Sequence, residues 1–358
     1  ESSTARRDFL KFLGFSVAAA TLAACEAPVT KVVPYVVKPE NVTPGMPTWY
    51  ASTYYDGATY ASIVVKTREG RPIFIKGNKD FGFTKGGTNP QIIASVLGLY
   101  DSARLAQPLA KGSSSNWATV DTAISAAIAK AKKVTLLSNT VISPSIQRAI
   151  SEMATKLNGE GGSKFEHIQY DAISYAGMRE ANLLNFGARV IPNYDFSKAK
   201  TIVSVAADFL STWLLPTEFA VQYGMGRNPE ADWMSKHFQF ESILSVTGSN
   251  ADVRGMIKPS EEAAVLAYII KALGGNPGTA ANAGSWKAAA DKAVAALKKS
   301  KKESIVVAGS NNIGIQQLAN QLNNMLGAYG STIDLNTTIN LHQSQDAKAL
   351  KLAADVAA

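Results

Sequence analysis

One cysteine stands in the whole sequence, Cys25. An intramolecular disulfide is therefore excluded. So is an iron-sulfur cluster or c-type haem built from this chain alone, since either needs several thiolates or a Cys-x-x-Cys-His segment. Histidine is almost as scarce: His167, His237 and His342 lack the short spacing of a metal pair, and ordinary core or surface roles are expected for all three. No Gly-x-Ser-x-Gly elbow supports a hydrolase. After residue 27 no stretch reaches 18 uncharged apolar residues, so no spanning helix is expected in the body of the chain. No residue is assigned a catalytic, cofactor-binding or metal-ligating role.

What is present begins with Arg6-Arg7-Asp8-Phe9-Leu10-Lys11, followed by an uncharged run from Phe12 to Cys25 that ends in Leu22-Ala23-Ala24-Cys25. Paired arginines before a weakly apolar segment and a small-residue box resemble a twin-arginine (Tat) export leader fused to a lipoprotein signal. Positive charge stays on the cytoplasmic side while the apolar run enters the bilayer. That run is shorter than the roughly 20 residues of a permanent span. Arg6 and Arg7 are the expected export signal and Cys25 the expected lipid anchor. The expected location is the periplasmic face of the bacterial inner membrane, lipid-anchored or held by a retained leader helix.

The 358 residues are 46% apolar, enough to bury one large or two moderate cores. Thirty-six basic against 28 acidic residues give a net charge of +8. The densest basic run, Lys298-Lys299-Ser300-Lys301-Lys302, closes an Ala/Lys-rich helix pattern, where cations complement the helix dipole. Nucleic acid is not an expected partner; lipid headgroups or an acidic protein surface are.

Four stretches follow from the pattern. Residues 1–25 are the leader or anchor. Residues 26–48, with prolines at 28, 34, 39, 44 and 47, read as an extended tether. Residues 49–111 read as a small β-rich domain: Ala61–Lys66 and Arg71–Lys76 are β-branched runs joined by Thr67-Arg68-Glu69-Gly70, predicting a hairpin, and a glycine-rich loop spans Gly77 to Gly87. Residues 112–358 read as α/β. Ser115 or Asn116 caps a helix to about Lys133, and Ser143-Pro144 opens another. Buried strands are expected at Val134–Ser138, Lys164–Gln169, Thr201–Val205 and Ser304–Ala308. Helices are expected near Ile173–Phe186, Leu215–Tyr223, Ser260–Leu273, Ser285–Lys299 and Ile313–Leu326. The alternation argues for mostly parallel sheets flanked by helices on both faces. With no clear terminal strand, the chain is expected to continue beyond residue 358.

Thr53-Tyr54-Tyr55-Asp56-Gly57, Arg68 through Asn78, Gly86-Gly87-Thr88 and Leu99 through Leu105 resemble, in order and spacing, the amino-terminal domain of molybdopterin oxidoreductases. Ile202 through Leu210, Ser245 through Asp252 with Lys258-Pro259, and Val306 through Asn311 resemble that family's sheet domains. The resemblance covers most of residues 50–340. Active members carry cysteines before the first hairpin and near the following Gly-Gly; here Tyr50 to Tyr60 offers Ala, Ser, Thr, Tyr, Asp and Gly, and Thr88 stands at the last thiolate position. The resemblance therefore implies a degenerate domain without the cluster.

Combined with the leader, the pattern looks like the amino-terminal half of the B subunit of alternative complex III, a bacterial membrane complex that oxidises quinol in the respiratory chain. This implies iron-sulfur clusters in a ferredoxin-like continuation of the polypeptide, multihaem cytochrome c partners and polytopic membrane subunits with the quinol sites. The chain itself would be a structural and assembly domain, not an enzyme, holding the iron-sulfur domain near the haem subunits for electron transport. Two alternatives stay open: a periplasmic molybdenum oxidoreductase with a serine or aspartate ligand, and a periplasmic ligand-binding lipoprotein. Trp49, Tyr50, Tyr54, Tyr55 and Tyr60 form the candidate interface, as Tyr and Trp are enriched at protein contacts; packing a small β domain is their simpler role. Gly309-Ser310-Asn311-Asn312 reads either as a capped strand-to-helix turn or as a phosphate site. Gly224-Met225-Gly226-Arg227 reads as a glycine helix stop.

Overall fold

Two left-handed residues, Glu69 (φ 51°) and Gly70 (φ 77°), make the turn of the expected hairpin in the computed structural model of the chain, the conformation that a two-residue hairpin loop demands. The structure describes residues 40, 42–43, 45–159 and 164–357. Residues 47–358 form one unit and 1–46 another. Arg6, Arg7, Cys25 and most of the 26–48 tether lie outside the described residues.

Strands β1 (Thr48–Tyr55), β2 (Tyr60–Arg68) and β3 (Arg71–Gly77) form an antiparallel meander. The hairpin is β2–β3; β1 takes up the end of the expected tether and most of the aromatic cluster. Its middle, Ala51-Ser52-Thr53, carries no apolar alternation, which hid it as a strand. Against one face lie helix α1 (Pro90–Ala94), capped by Asn89, and the 3-10 turn Ser95–Leu99. They add Ile92 and Val96 to a small core of Ala61, Ile63 and Ile75. A minimal hairpin, β4 (Leu109–Ala110) with β5 (Ser113–Ser114), ends this part.

The α/β alternation then starts. Asn116 caps helix α2 (Trp117–Lys130), which stops three residues short of the expected Lys133 where Ala131 turns extended. Strand β6 (Val134–Ser138), helix α3 (Pro144–Asn158) with its Ser143 cap, and strand β7 (Phe165–Gln169) follow, with β6 and β7 paired in parallel. Next come α4 (Ala176–Phe186), β8 (Pro192–Tyr194), β9 (Thr201–Val205), α5 (Pro216–Met225), β10 (Lys236–Glu241), α6 (Val246–Ser249) and β11 (Val253–Met256). The chain proceeds through α7 (Glu262–Ala272), α8 (Lys287–Ser300), β12 (Ser304–Ala308), α9 (Ile313–Leu326), β13 (Ile333–Thr338) and α10 (Asp346–Ala357). The protein is mixed α/β. Its main sheet is parallel, in the order β11-β10-β9-β12, and β8 pairs antiparallel with β13.

Alternation along the main strands divides two apolar cores. Ile202, Ile305 and Val307 point to one side, with Phe196, Phe209, Trp213 and Phe219. Val203, Val205, Phe238, Phe240, Val306 and Ala308 point to the other, against α7, α8 and α9. Both faces are covered, as a parallel sheet requires. Strand β10 escaped the sequence reading because its second face is polar. His237, Gln239 and Glu241 lie there, all buried; Gln239 Nε2 donates to Glu241 Oε2, and Glu241 accepts from Ser245 and Arg254. Pattern alone reads KHFQFE as a half-exposed strand at best, whereas hydrogen bonding along the row makes its burial tolerable.

Candidate functional site

Open α/β sheets bind ligands outside the carboxyl ends of their strands, where the strand order reverses. Here that place lies between the ends of β9 and β12. Ala206 follows β9 with a left-handed backbone (φ 56°). Gly309 follows β12 and donates its N–H to the Val205 carbonyl at 2.8 Å. A Cβ on Gly309 would run into the Ala206 carbonyl oxygen, so the two loops are in backbone contact.

Beside this contact the loops after β6, β7 and β12 are bound to one another. The buried Asp171 carboxylate accepts from the Thr140 N–H and hydroxyl, both at 2.7 Å. The Gln343 N–H donates to Thr140 Oγ1 at 2.6 Å, and the Asp171 N–H to Ser344 Oγ at 3.2 Å. Asp346, opening α10, accepts from Ser174 and Ser344 through Oδ1 and from Asn311 Nδ2 through Oδ2. At the start of α4, the Gly177 N–H is taken by Asn311 Oδ1 and the Ala176 N–H by Ser174 Oγ. The Gly309–Asn312 stretch is thus a capped turn: Asn312 Oδ1 accepts from the Ile315 N–H, while Asn311 serves as a strut between loops. His342 packs edge-on to Tyr175, ring centroids 4.8 Å apart; burial lowers its pKa, and its Nδ1 has no hydrogen-bond partner among the described residues. A cleft of about 380 Å³ flanks the network, bordered by Arg179, Glu180, Arg189, Asn311 and Gln343. Arg179 donates into it, to Gln343 Oε1 and the Ser344 carbonyl, and Arg189 pairs with Glu180 at 2.7 Å.

The Gly177 and Ala176 amides that open α4 are therefore engaged by Asn311 and Ser174. The body carries no thiolate for a cluster. Among the described residues no group of three or more His, Cys, Asp or Glu is arranged around a common metal position.

The candidate interface residues are split by the pleat of β1. Tyr50 and Tyr54 share the face that carries Ile63 and Ile75, and Tyr54 packs on that core. Trp49 and Tyr55 lie on the opposite face. Tyr55 turns inward: its hydroxyl donates to the Thr140 and Leu341 carbonyls at 3.3 and 3.5 Å, and burial pushes its pKa up to about 12. Tyr60 stacks on Phe83, 4.8 Å between centroids, and its carbonyl accepts from Thr217 on α5. Tyr55 and Tyr60 thus join the meander to the α/β body, while Trp49 and Tyr50 are exposed on opposite faces. The sequence reading missed Asp171, Thr140 and Asp346; a polar residue just past each of two apolar strands was the available signal.

No protein-family model matches the chain, and no curated protein is similar to it. Among solved structures, the chain is similar to one in the crystal structure of the formyltransferase/hydrolase complex (FhcABCD) from Methylorubrum extorquens in complex with methylofuran. Identity is 16% and the TM-score 0.38, over 61% of this chain and 56% of that one. The chain thus spans little more than half the length of its counterpart, and a likeness at this level carries no argument about activity.

Proposed function

We propose that this chain is a cofactor-free scaffold of molybdopterin-oxidoreductase type, corresponding to the amino-terminal half of the B subunit of alternative complex III. It would sit on the periplasmic face of the inner membrane, anchored through Cys25, and hold a ferredoxin-like iron-sulfur domain near multihaem cytochrome c and polytopic quinol-site subunits. The observation that carries this reading is the self-closure of the strand ends: Asp171, Ser174, Asn311 and Asp346 bind the loops there to one another.

A second feature supports a scaffold. Helices α2, α3 and α10 contain no buried residue, and Trp117, Ile124, Leu137, Ile146 and Leu350 expose their side chains around the β6–β7 pair. Parallel sheets are ordinarily covered on both faces, and exposed apolar surface of this kind marks a contact with further protein.

The test is purification from native membranes in mild detergent, with mass spectrometry of the copurifying subunits and metal analysis of the same sample. Multihaem cytochromes, polytopic subunits and iron without molybdenum are expected. Stoichiometric molybdenum in a small assembly would replace the scaffold with an oxidoreductase, and a metal-free monomer would leave a ligand-binding lipoprotein.

A further inference from the structure

The nine ion pairs among the described residues all join residues between 133 and 348. The meander's cations take no part in them. Lys66 and Lys76 instead hold their ammonium groups over the Trp49 ring, 5.8 and 4.5 Å from its centroid. Phe74 meets the same ring edge-on, centroids 6.4 Å apart. Trp49 is 41% and Phe74 42% exposed. In register, Trp49 lies opposite Lys66 and Lys66 opposite Phe74, so these side chains make one continuous face. At the hairpin end the register shifts between Lys66 and Thr67, leaving Ile73 without a partner and 47% exposed. Arg68 and Arg71 flank the turn, where Glu69 is the single acid.

We propose that this face, Trp49 and Phe74 ringed by Lys66, Arg68, Arg71 and Lys76, seats on an anionic lipid surface. Two features favour lipid over other occupants. Among the described residues these cations make no ion pair, so their charge is available to headgroup phosphates. Tryptophan flanked by lysine suits the headgroup level, where an apolar ring and a cation are both accommodated. The inference deepens the membrane-bound reading above and rests on it for location only.

The test uses the full chain carrying Cys25→Ser, which removes acylation, with phosphatidylcholine vesicles with and without phosphatidylglycerol. Any contribution of the leader is the same in every variant. Sedimentation with the anionic vesicles is expected, weakening as salt rises. Lys66→Gln with Lys76→Gln should weaken binding roughly 30-fold, at about 1 kcal/mol per cation near the surface. Trp49→Ala with Phe74→Ala should lower it further, with the circular dichroism spectrum unchanged because neither side chain belongs to the meander's apolar core. Acyl chains brominated near the headgroup should quench tryptophan emission, and Trp49→Phe should abolish most of that quenching. Binding that ignores these substitutions, or quenching that survives Trp49→Phe, would overturn the proposal. Equal retention on an acidic protein or a single-stranded polynucleotide would also overturn it. Loss of copurifying subunits would bear on the scaffold reading alone, since vesicle binding is measured on the isolated chain.

Discussion

Asp171 grips Thr140 through both of its hydrogen-bond donors, backbone N–H and hydroxyl, at 2.7 Å each. These two residues follow β7 and β6, so one carboxylate ties together the loops of a parallel pair, and Ser344 and Gln343 extend the tie to the segment before α10. Asp171→Ala would strand two buried donors. A loss on the order of 2–4 kcal/mol is expected, read as a shift in denaturant midpoint. Asp171→Asn, which keeps an acceptor for the N–H, should lose about half as much. Equal stability of all three proteins would show that the network is dispensable.

Two buried titratable groups act in opposite directions on stability. Burial holds His237 down from 6.5 to about 4. Its unfolded form therefore takes up a proton first, and stability, intact above pH 6.5, falls as pH drops from 6.5 to 4. Burial raises Glu218 from 4.5 to about 7. Its unfolded form loses a proton first, so stability, intact below pH 4.5, falls as pH rises from 4.5 to 7. Each slope is on the order of 1.4 kcal/mol per pH unit. Between pH 4.5 and 6.5 the two cancel, and these groups leave the whole protein nearly flat there. His237→Gln should uncover a stability that declines with pH across this window, and Glu218→Gln one that rises. Identical pH profiles for the two variants in urea titrations would contradict both assignments.

The Glu69-Gly70 turn can be improved. Glu69 is a non-glycine residue at φ 51°, a conformation that asparagine tolerates better than glutamate. Glu69→Asn should stabilise the meander by about 0.5–1 kcal/mol, raising the melting temperature without altering subunit copurification. A fall in stability would mean that Glu69 has a favourable contact elsewhere.

Gly309 is held by close approach rather than by its φ. Because an added Cβ meets the Ala206 carbonyl, Gly309→Ala should cost about 3 kcal/mol or more. Gly70→Ala, where no atom lies within 4 Å of the added carbon, should instead lose only the ordinary penalty of a left-handed alanine, about 1–2 kcal/mol. Thermal melts of the pair would separate clash from backbone conformation; the reverse order of stability would refute this account of Gly309.

Much of the architecture was legible because local chemistry decides it. The runs at 134–138, 201–205 and 304–308 are short, apolar and rich in β-branched residues, and each folds as the strand its residues specify. Asn116, Ser143 and Asn312 cap helices because a short polar side chain can accept from an N–H three residues on. Strands β1 and β10 were not legible: Ala51-Ser52-Thr53 gains its conformation from pairing with β2, and the polar row of β10 depends on partners elsewhere in the chain. The network at the strand ends was hidden for the same reason, since Thr140 and Asp171 are 31 residues apart and Asn311 and Gly177 are 134 apart.

By itself, then, the sequence determined the scarcity of thiolates and imidazoles, the strands at 134–138, 201–205 and 304–308, and the caps at Asn116, Ser143 and Asn312, because each depends on residue type or on neighbours within a turn. Only the tertiary structure decided which aromatic residues of the first strand face outward. Pleating puts Trp49 and Tyr50 on opposite sides, and docking of the meander on the α/β body draws Tyr55 and Tyr60 inward. It also decided that the loops after the parallel strands close on one another, because hydrogen bonds between residues remote in the chain exist only once the sheet has brought them together.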